Sequence, residues 1–239
     1  MIFEGHGALL NNKHTYHDYG LIITNIKQIS PPTVKTSYVS LPARNGDLDL
    51  SEALTGYPVY GNRTITLTLG GKKPREEWVM FRDTIENDLH GKKVTVVFDD
   101  DPEYYWEGRA QLSDDYNRGQ EVATFTVTIN ANPYKVEIRD GGSATCWPWG
   151  TFNFRTGIIR NYYKIQVDGT HELLIYGREM PVIPVFEVTG SLTVKFNGTE
   201  YKLFAGKNKV YDIVLMKGIN MLTFKGNGAV TVHYQGGTL

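Results

Sequence analysis

Between Thr64 and Leu69 the apolar residues Ile65, Leu67 and Leu69 alternate with Thr64, Thr66 and Thr68. This period of two turns one face of a strand to a core and the other to water or a partner. The alternation returns at Ala123, Phe125, Val127 and Ile129 against Thr124, Thr126 and Thr128, and Tyr104–Leu112 sets Trp106, Ala110 and Leu112 on one side. Val94–Phe98 is a nearly continuous apolar run, and Asp99-Asp100-Asp101-Pro102 is a turn that joins it to Tyr104–Leu112 as a hairpin. An earlier strand is predicted over Leu21–Ile26, and Pro31-Pro32 closes the segment after it. After Gly70-Gly71 the period changes: Pro74 can open a helix, Glu76 and Glu77 suit its positive end, and Trp78, Phe81, Ile85 and Leu89 recur at spacings of three and four. Gly91 is a natural stop, so an amphipathic helix of about four turns is expected, its aromatic stripe lying on a sheet.

From about Lys135 helical periodicity disappears. Short, regularly punctuated strands are predicted at Glu172–Tyr176, Ile183–Val188, Leu192–Phe196, Tyr201–Phe204, Lys209–Leu215, Met221–Lys225 and Ala229–Tyr234, with Asn197-Gly198 as a hairpin turn. Seven such strands suggest a β-sandwich of jelly-roll type. Asp140-Gly141-Gly142-Ser143 has the composition of a flexible link, which places a domain boundary between Pro133 and Ser143. The expected fold class is therefore mainly β with one α-helix. An N-terminal α+β domain, residues 1–134, combines an antiparallel sheet or small barrel with the helix, and a C-terminal β-sandwich occupies residues 135–239.

The stretch from Arg44 to Gly61 fits neither domain's core. Asn45-Gly46, Gly56, Pro58 and Gly61 make it a long connection, uncommon in a compact domain unless it is disordered or has a role. Leu48, Leu50, Leu54 and Tyr57 give it apolar anchors that a disordered segment lacks. It reads as an ordered arm that packs on another surface, with a neighbouring subunit as the candidate. Arg44, Leu48, Leu50, Leu54 and Tyr57, with Arg63 at the entry to the next strand, are the candidate inter-subunit contacts.

Composition narrows the function classes. In 239 residues, 25 Lys and Arg face 26 Asp and Glu, and a net charge of -1 lacks the cationic surplus of a tight nucleic-acid binder. The first twenty residues lack a charged start followed by an apolar run, and no stretch approaches the roughly 18 apolar residues of a membrane span. A soluble protein made in a cytoplasm is expected, and the single Cys146 excludes an internal disulfide. Asp99, Asp100, Asp101 and Glu103 have no spaced ligand pattern beyond the turn, and His14 and His17 lack a partner at metal-binding spacing. Gly70-Gly71-Lys72-Lys73 is not a phosphate-cradling loop, and no G-x-S-x-G motif is present. Neither an enzyme, a metal nor a cofactor is expected. Trp147 and Trp149, near Phe152 and Phe154, are candidate carbohydrate contacts, since an indole face suits the C–H side of a pyranose. The competing reading is that they plug the sandwich or an interface, and the His, Asn, Arg, Trp and Glu pattern by which galectins hold sugar is missing.

Over residues 15–135 the succession GLIITNIKQISPP, ARNGDLDLSEALTGYPVYGNRTITLTL, EEWVMFRDTIENDLHGKKVTVVFDDDPEYYWEGRAQL and ATFTVTINANPYK resembles the N-terminal domain of the distal tail proteins of long-tailed, non-contractile bacteriophages. The likeness rests on order and combination: an R-x-G loop, a strand preceded by N-R, a helix ending in L-x-G-K, a strand running into D-D, and a Y-Y-W-x-G-R strand. It implies a homo-hexameric ring at the tail tip, formed by the N-terminal domains around a DNA channel, with galectin-like C-terminal sandwiches projecting outwards. The implied partners are the major tail protein above, the tail-associated hub protein below and receptor-binding proteins outside, with DNA passing but not held. The implied location is the virion tail tip, assembled in the host cytoplasm. A different class, a carbohydrate-binding adhesion module built on the C-terminal sandwich, is the alternative.

Overall fold

A computed structural model describes residues 7–24, 27–113, 117–118, 121–144, 154–155 and 157–239. The chain is mainly β, with one helix among the described residues, and it divides into two compact units. The first comprises residues 1–101 and 106–133, the second residues 102–105 and 134–239.

In the first unit the chain enters through β1 (Ala8–Leu10) and β2 (Lys13–His14), succeeded by β3 (Ile22–Ile23) and β4 (Gln28–Ile29). Two short ladders come next, built from β5 (Val34–Lys35), β6 (Tyr38–Val39), β7 (Leu48–Asp49) and β8 (Val59–Tyr60). After them run β9 (Arg63–Lys72), α1 (Glu77–Leu89), β10 (Lys93–Phe98), β11 (Tyr104–Leu112, whose first two residues count with the second unit), β12 (Asn117–Arg118) and β13 (Val122–Ala131). The main antiparallel sheet has the order β2-β1-β10-β11-β13-β9-β3, with β4 also paired to β9.

The alternation read from sequence is the physical design of this sheet. In the long ladder of β9 with β13, Ile65 faces Ile129 and Leu67 faces Val127, all fully buried. On the other face Thr66 pairs with Thr128 and Thr68 with Thr126. Helix α1 closes the buried side. Trp78, Ile85 and Leu89 are buried, the Trp78 indole N–H donates to the Lys73 carbonyl at 2.9 Å, and Phe81 meets the indole edge-on at 5.6 Å. The strand expected over Leu21–Ile26 is confined, among the described residues, to Ile22 and Ile23, and Ala8–Leu10 contributes two core residues, Ala8 and Leu10, where no strand was expected.

The second unit holds β14 (Lys135–Glu137), β15 (Ile165–Gly177), β16 (Val185–Phe196), β17 (Thr199–Leu203), β18 (Gly206–Lys209), β19 (Gly218–His233) and β20 (Gly237–Thr238). Its principal sheet runs β15-β19-β16-β17, with β18 on the other half of β16. Several short strands of the sequence reading are thus halves of longer ones. Leu192–Phe196 continues from Val185, and Met221–Lys225 and Ala229–Tyr234 belong largely to one strand of 16 residues. Lys209–Leu215 is not a strand, contributing a bridge from Leu215 to Val182.

The long strands fold over rather than running flat. Phe186 is paired in register with Val232, eight residues from Phe224 along β19, a separation of about 26 Å on a straight strand. Yet the Phe186 and Phe224 rings lie 5.9 Å apart, edge to face, so the two halves of the sheet share one core. The fold occurs where Gly190 (φ 96°) and Gly226 (φ 127°) approach the facing strand, a Cβ on either landing 2.9 Å from a backbone carbonyl. Only glycine accepts that backbone without strain or a clash.

The segment expected to be a flexible link is built in. Gly141 and Gly142 are buried, the first against Tyr234 and Tyr162, the second against His233 and Thr231, and the Gly141 N–H donates to the Tyr234 carbonyl at 2.9 Å. Small residues here mark close packing, not freedom.

Candidate functional site

The arm is a long two-stranded excursion, and both of its sides are ordered. β5 pairs with β8 and β6 with β7, each through only two residue pairs, and the Leu50 N–H donates to the Ser37 carbonyl between the ladders. The tip, residues 40–47, turns through Ala43 (φ 63°) and Gly46 (φ 77°). A second turn over residues 51–58 is held by the Gly56 N–H on the Glu52 carbonyl at 2.7 Å and by the Thr55 hydroxyl on the Tyr57 carbonyl at 2.7 Å. Asp49 accepts from the backbone N–H and hydroxyl of Ser51, which hold its carboxyl below the usual carboxylate range.

None of the residues from Val34 to Tyr60 joins the hydrophobic core of the unit. Instead Val34, Tyr38, Val39, Leu41, Leu50 and Leu54 are exposed, Leu54 completely, while Leu48 and Tyr57 are half-buried and Arg44 is exposed. A lone two-stranded ribbon is marginal in water, and exposed apolar groups on a ribbon with free edges call for a covering surface. Five of the six predicted contact residues therefore share this one element.

Arg63 lies elsewhere. It is 7% exposed, opposite Ala131 at the start of β9, with its guanidinium 4.6 Å from the centre of the Trp106 ring. Its Nε has no hydrogen-bond partner among the described residues, and burial lowers its pKa. It serves the interior of its own unit, a cation spread on an indole face. Trp147 and Trp149 lie outside the described residues.

The acidic turn is occupied by other side chains of the same unit. His14 Nε2 sits 3.0 Å from Asp99, Lys27 pairs with Asp100, and no cluster of metal-ligating side chains occurs among the described residues.

Sequence reasoning missed a buried ionic centre in the second unit. Glu137, on β14, receives Arg160 Nη1 and Arg178 Nε at 2.6 Å each, plus the Gly236 N–H at 3.0 Å. Arg160 Nε donates to the Tyr234 hydroxyl at 2.7 Å, and that hydroxyl donates to the Tyr176 carbonyl. Burial works against the Arg160 charge, but Tyr234 and Glu137 more than offset it and raise its pKa, whereas burial pushes the Tyr234 hydroxyl well up. The four residues are far apart in sequence and carry no shared motif, so no local signal announces them.

The fold has a known counterpart. It is similar to the Dit protein of bacteriophage SPP1, whose crystal structure is described as a paradigm of the hub adsorption apparatus in phages infecting Gram-positive bacteria. The TM-score is 0.55 at 10% sequence identity, over 98% of this chain and 99% of that one. No protein family and no curated protein matches the sequence.

Proposed function

We propose that this chain is a structural distal tail component of a long-tailed phage. In this reading six copies form a ring through residues 1–134, joining the major tail protein to the tail-tip hub protein around a channel for DNA. Residues 135–239 project outwards as a support for receptor-binding proteins. The role is mechanical, with no catalysis, and its place is the tip of a virion tail assembled in the host cytoplasm. The observation that carries the reading is a likeness to a phage hub protein over nearly the whole of both chains, in a subunit whose arm leaves its apolar residues uncovered.

The arm is assigned to the neighbouring subunit. Arg44, Leu48, Leu50, Leu54 and Tyr57 would give the ribbon the packing it lacks alone, and the threonine faces of β9 and β13 offer a second, polar contact surface. A net charge of -1 suits a channel that passes DNA without holding it.

Light scattering over a wide concentration range, with electron micrographs of the particles, tests this. Because association depends steeply on concentration, rings should grow in as the protein is concentrated or mixed with its hub partner. Deleting residues 45–57 should abolish them, while removing residues 135–239 should not. A strict monomer at all concentrations, even beside the hub protein, would refute the ring.

A further inference from the structure

Three asparagines are followed by glycine: Asn45-Gly46, Asn197-Gly198 and Asn227-Gly228. In such a pair the backbone nitrogen of the glycine can attack the carboxamide carbon of the asparagine, because no Cβ stands in its way. The attack closes a five-membered ring only if the asparagine turns about its Cα–C bond and the glycine N–H is free to give up its proton. The local sequence is the same three times, so the fold decides which asparagine reacts.

Two of the three are held. Asn197 (φ 48°) and Gly198 (φ 88°) are the central residues of a hairpin turn closed by the pairing of Phe196 with Thr199. Positive φ at both positions is the turn whose twist matches its strands, and the rotation that brings nitrogen to carboxamide would break the β16–β17 register. Asn227 lies inside β19, opposite Asp168 on one side and Ser191 on the other, and a Cβ on Gly228 would land 2.1 Å from the Thr189 carbonyl oxygen. Neither pair has room to turn.

Asn45 is placed otherwise. It belongs to the tip of the arm, residues 40–47, beyond the two residue pairs of the β6–β7 ladder. Asn45 and Gly46 are both exposed, and neither has a hydrogen-bond partner among the described residues. Nothing beyond the chain neighbours lies within 4 Å of the position that a Cβ on Gly46 would take. Nucleophile and carboxamide are both free, on a loop tip where no strand pairing resists the rotation.

We infer that Asn45 is a site of spontaneous covalent modification in the free subunit. The Gly46 nitrogen bonds to the Asn45 side-chain carbon, the Cγ–Nδ2 bond breaks, and ammonia departs with the proton of the Gly46 amide. Water then opens the cyclic imide at either carbonyl, giving aspartate or isoaspartate, the second with a main chain one carbon longer. Both products add a carboxylate close in sequence to Asp47 and Asp49, and isoaspartate also lengthens the connection between β6 and β7. The arm of an unassembled subunit therefore changes with age, at the residue next to Arg44.

The test is to age the full-length protein at mildly alkaline pH, digest it with pepsin in acid, which halts the reaction, and read all three sites by mass spectrometry. Conversion at Asn45 should run at least tenfold faster than at Asn197 or Asn227, with isoaspartate among the products, as enzymatic methylation of its carboxylate would report. Gly46→Ala, which sets a methyl beside the attacking nitrogen, should slow conversion at least tenfold, and in concentrated urea the rates at the three wild-type sites should draw together. An Asn45 that stays intact, equal rates at the three sites of the folded protein, undiminished conversion in Gly46→Ala, or a ranking unchanged in urea would overturn the proposal.

Discussion

Arg63 and Arg160 are both buried cations, and the chain accommodates them by different means. Arg63 lies on an indole face with no carboxylate paired to it among the described residues, whereas Arg160 shares Glu137 with Arg178. Removing Glu137 would take away the buried carboxylate that two guanidinium groups share, so this ion cluster is a condition of the local structure more than a source of net stability. His233 is the third charged centre, and it responds to pH. Its Nδ1 lies 2.5 Å from Asp140 and its Nε2 3.1 Å from Glu187; Asp140 also accepts from the Tyr234 and Gly142 N–H groups, and Lys207 stands opposite Glu187 on β18. Burial disfavours the imidazolium, but the two carboxylates outweigh it and raise the pKa above 6.5. A folded-state value above the unfolded one means that the stabilisation is complete below pH 6.5 and fades as the pH climbs through the raised value. Melting of the C-terminal unit, tracked by calorimetry from about pH 6 to about pH 9, should fall with rising pH, and His233→Gln should flatten that slope. A melting temperature that rises over this range would contradict the assignment.

At the scale of elements, α1 is the most informative. Trp78 is fully buried and both packs on the sheet and donates to the Lys73 carbonyl, so Trp78→Ala should cost about 3–5 kcal/mol. Against domain stabilities of about 5–15 kcal/mol, the first unit becomes marginal while the transition of the second is unchanged, which two-transition calorimetry resolves. An unaltered profile would place the indole outside the core. This helix was legible because its apolar residues keep one period and its end carries a glycine. β9 and β13 were legible for the same reason, a strict alternation. The arm was half legible: Leu48, Leu50, Leu54 and Tyr57 marked its returning side, but residues 34–39, too short and too mixed to show a period, form the other side of the same ribbon. The C-terminal strands were cut too short because a glycine inside a strand and a glycine in a turn look alike in sequence. Gly190 and Gly226 bend the sheet without ending a strand, and only the pairing register reveals it. The Glu137 cluster was illegible because long-range ion pairs leave no local pattern.

At the scale of the whole molecule, the arm is mostly exposed and the joint read from sequence mostly is not. The stretch 132–143 contains β14, a Glu137 that is 6% exposed and two buried glycines, whereas Arg44 stands exposed on the tip of a ribbon. Brief trypsin treatment should therefore cut first after Arg44 and spare Lys135 and Arg139, as mass spectrometry of the fragments would report. Early cleavage at Lys135 would restore the picture of a loose link. The second unit carries a different consequence, one of timing. β19 is the central strand: it pairs with β15 along thirteen residues and with β16 along eleven, and Ile165 finds its partner at Val230. Both neighbours are made by the ribosome before it. Until Gly218–His233 has emerged, Ile165–Gly177 and Val185–Phe196 lack the ladder that later joins them, so hairpins can form as the chain appears but the shared core cannot. A stop codon anywhere between positions 200 and 218 would remove the middle of the sheet rather than its margin, leaving two long strands with open edges to seek pairing in other chains.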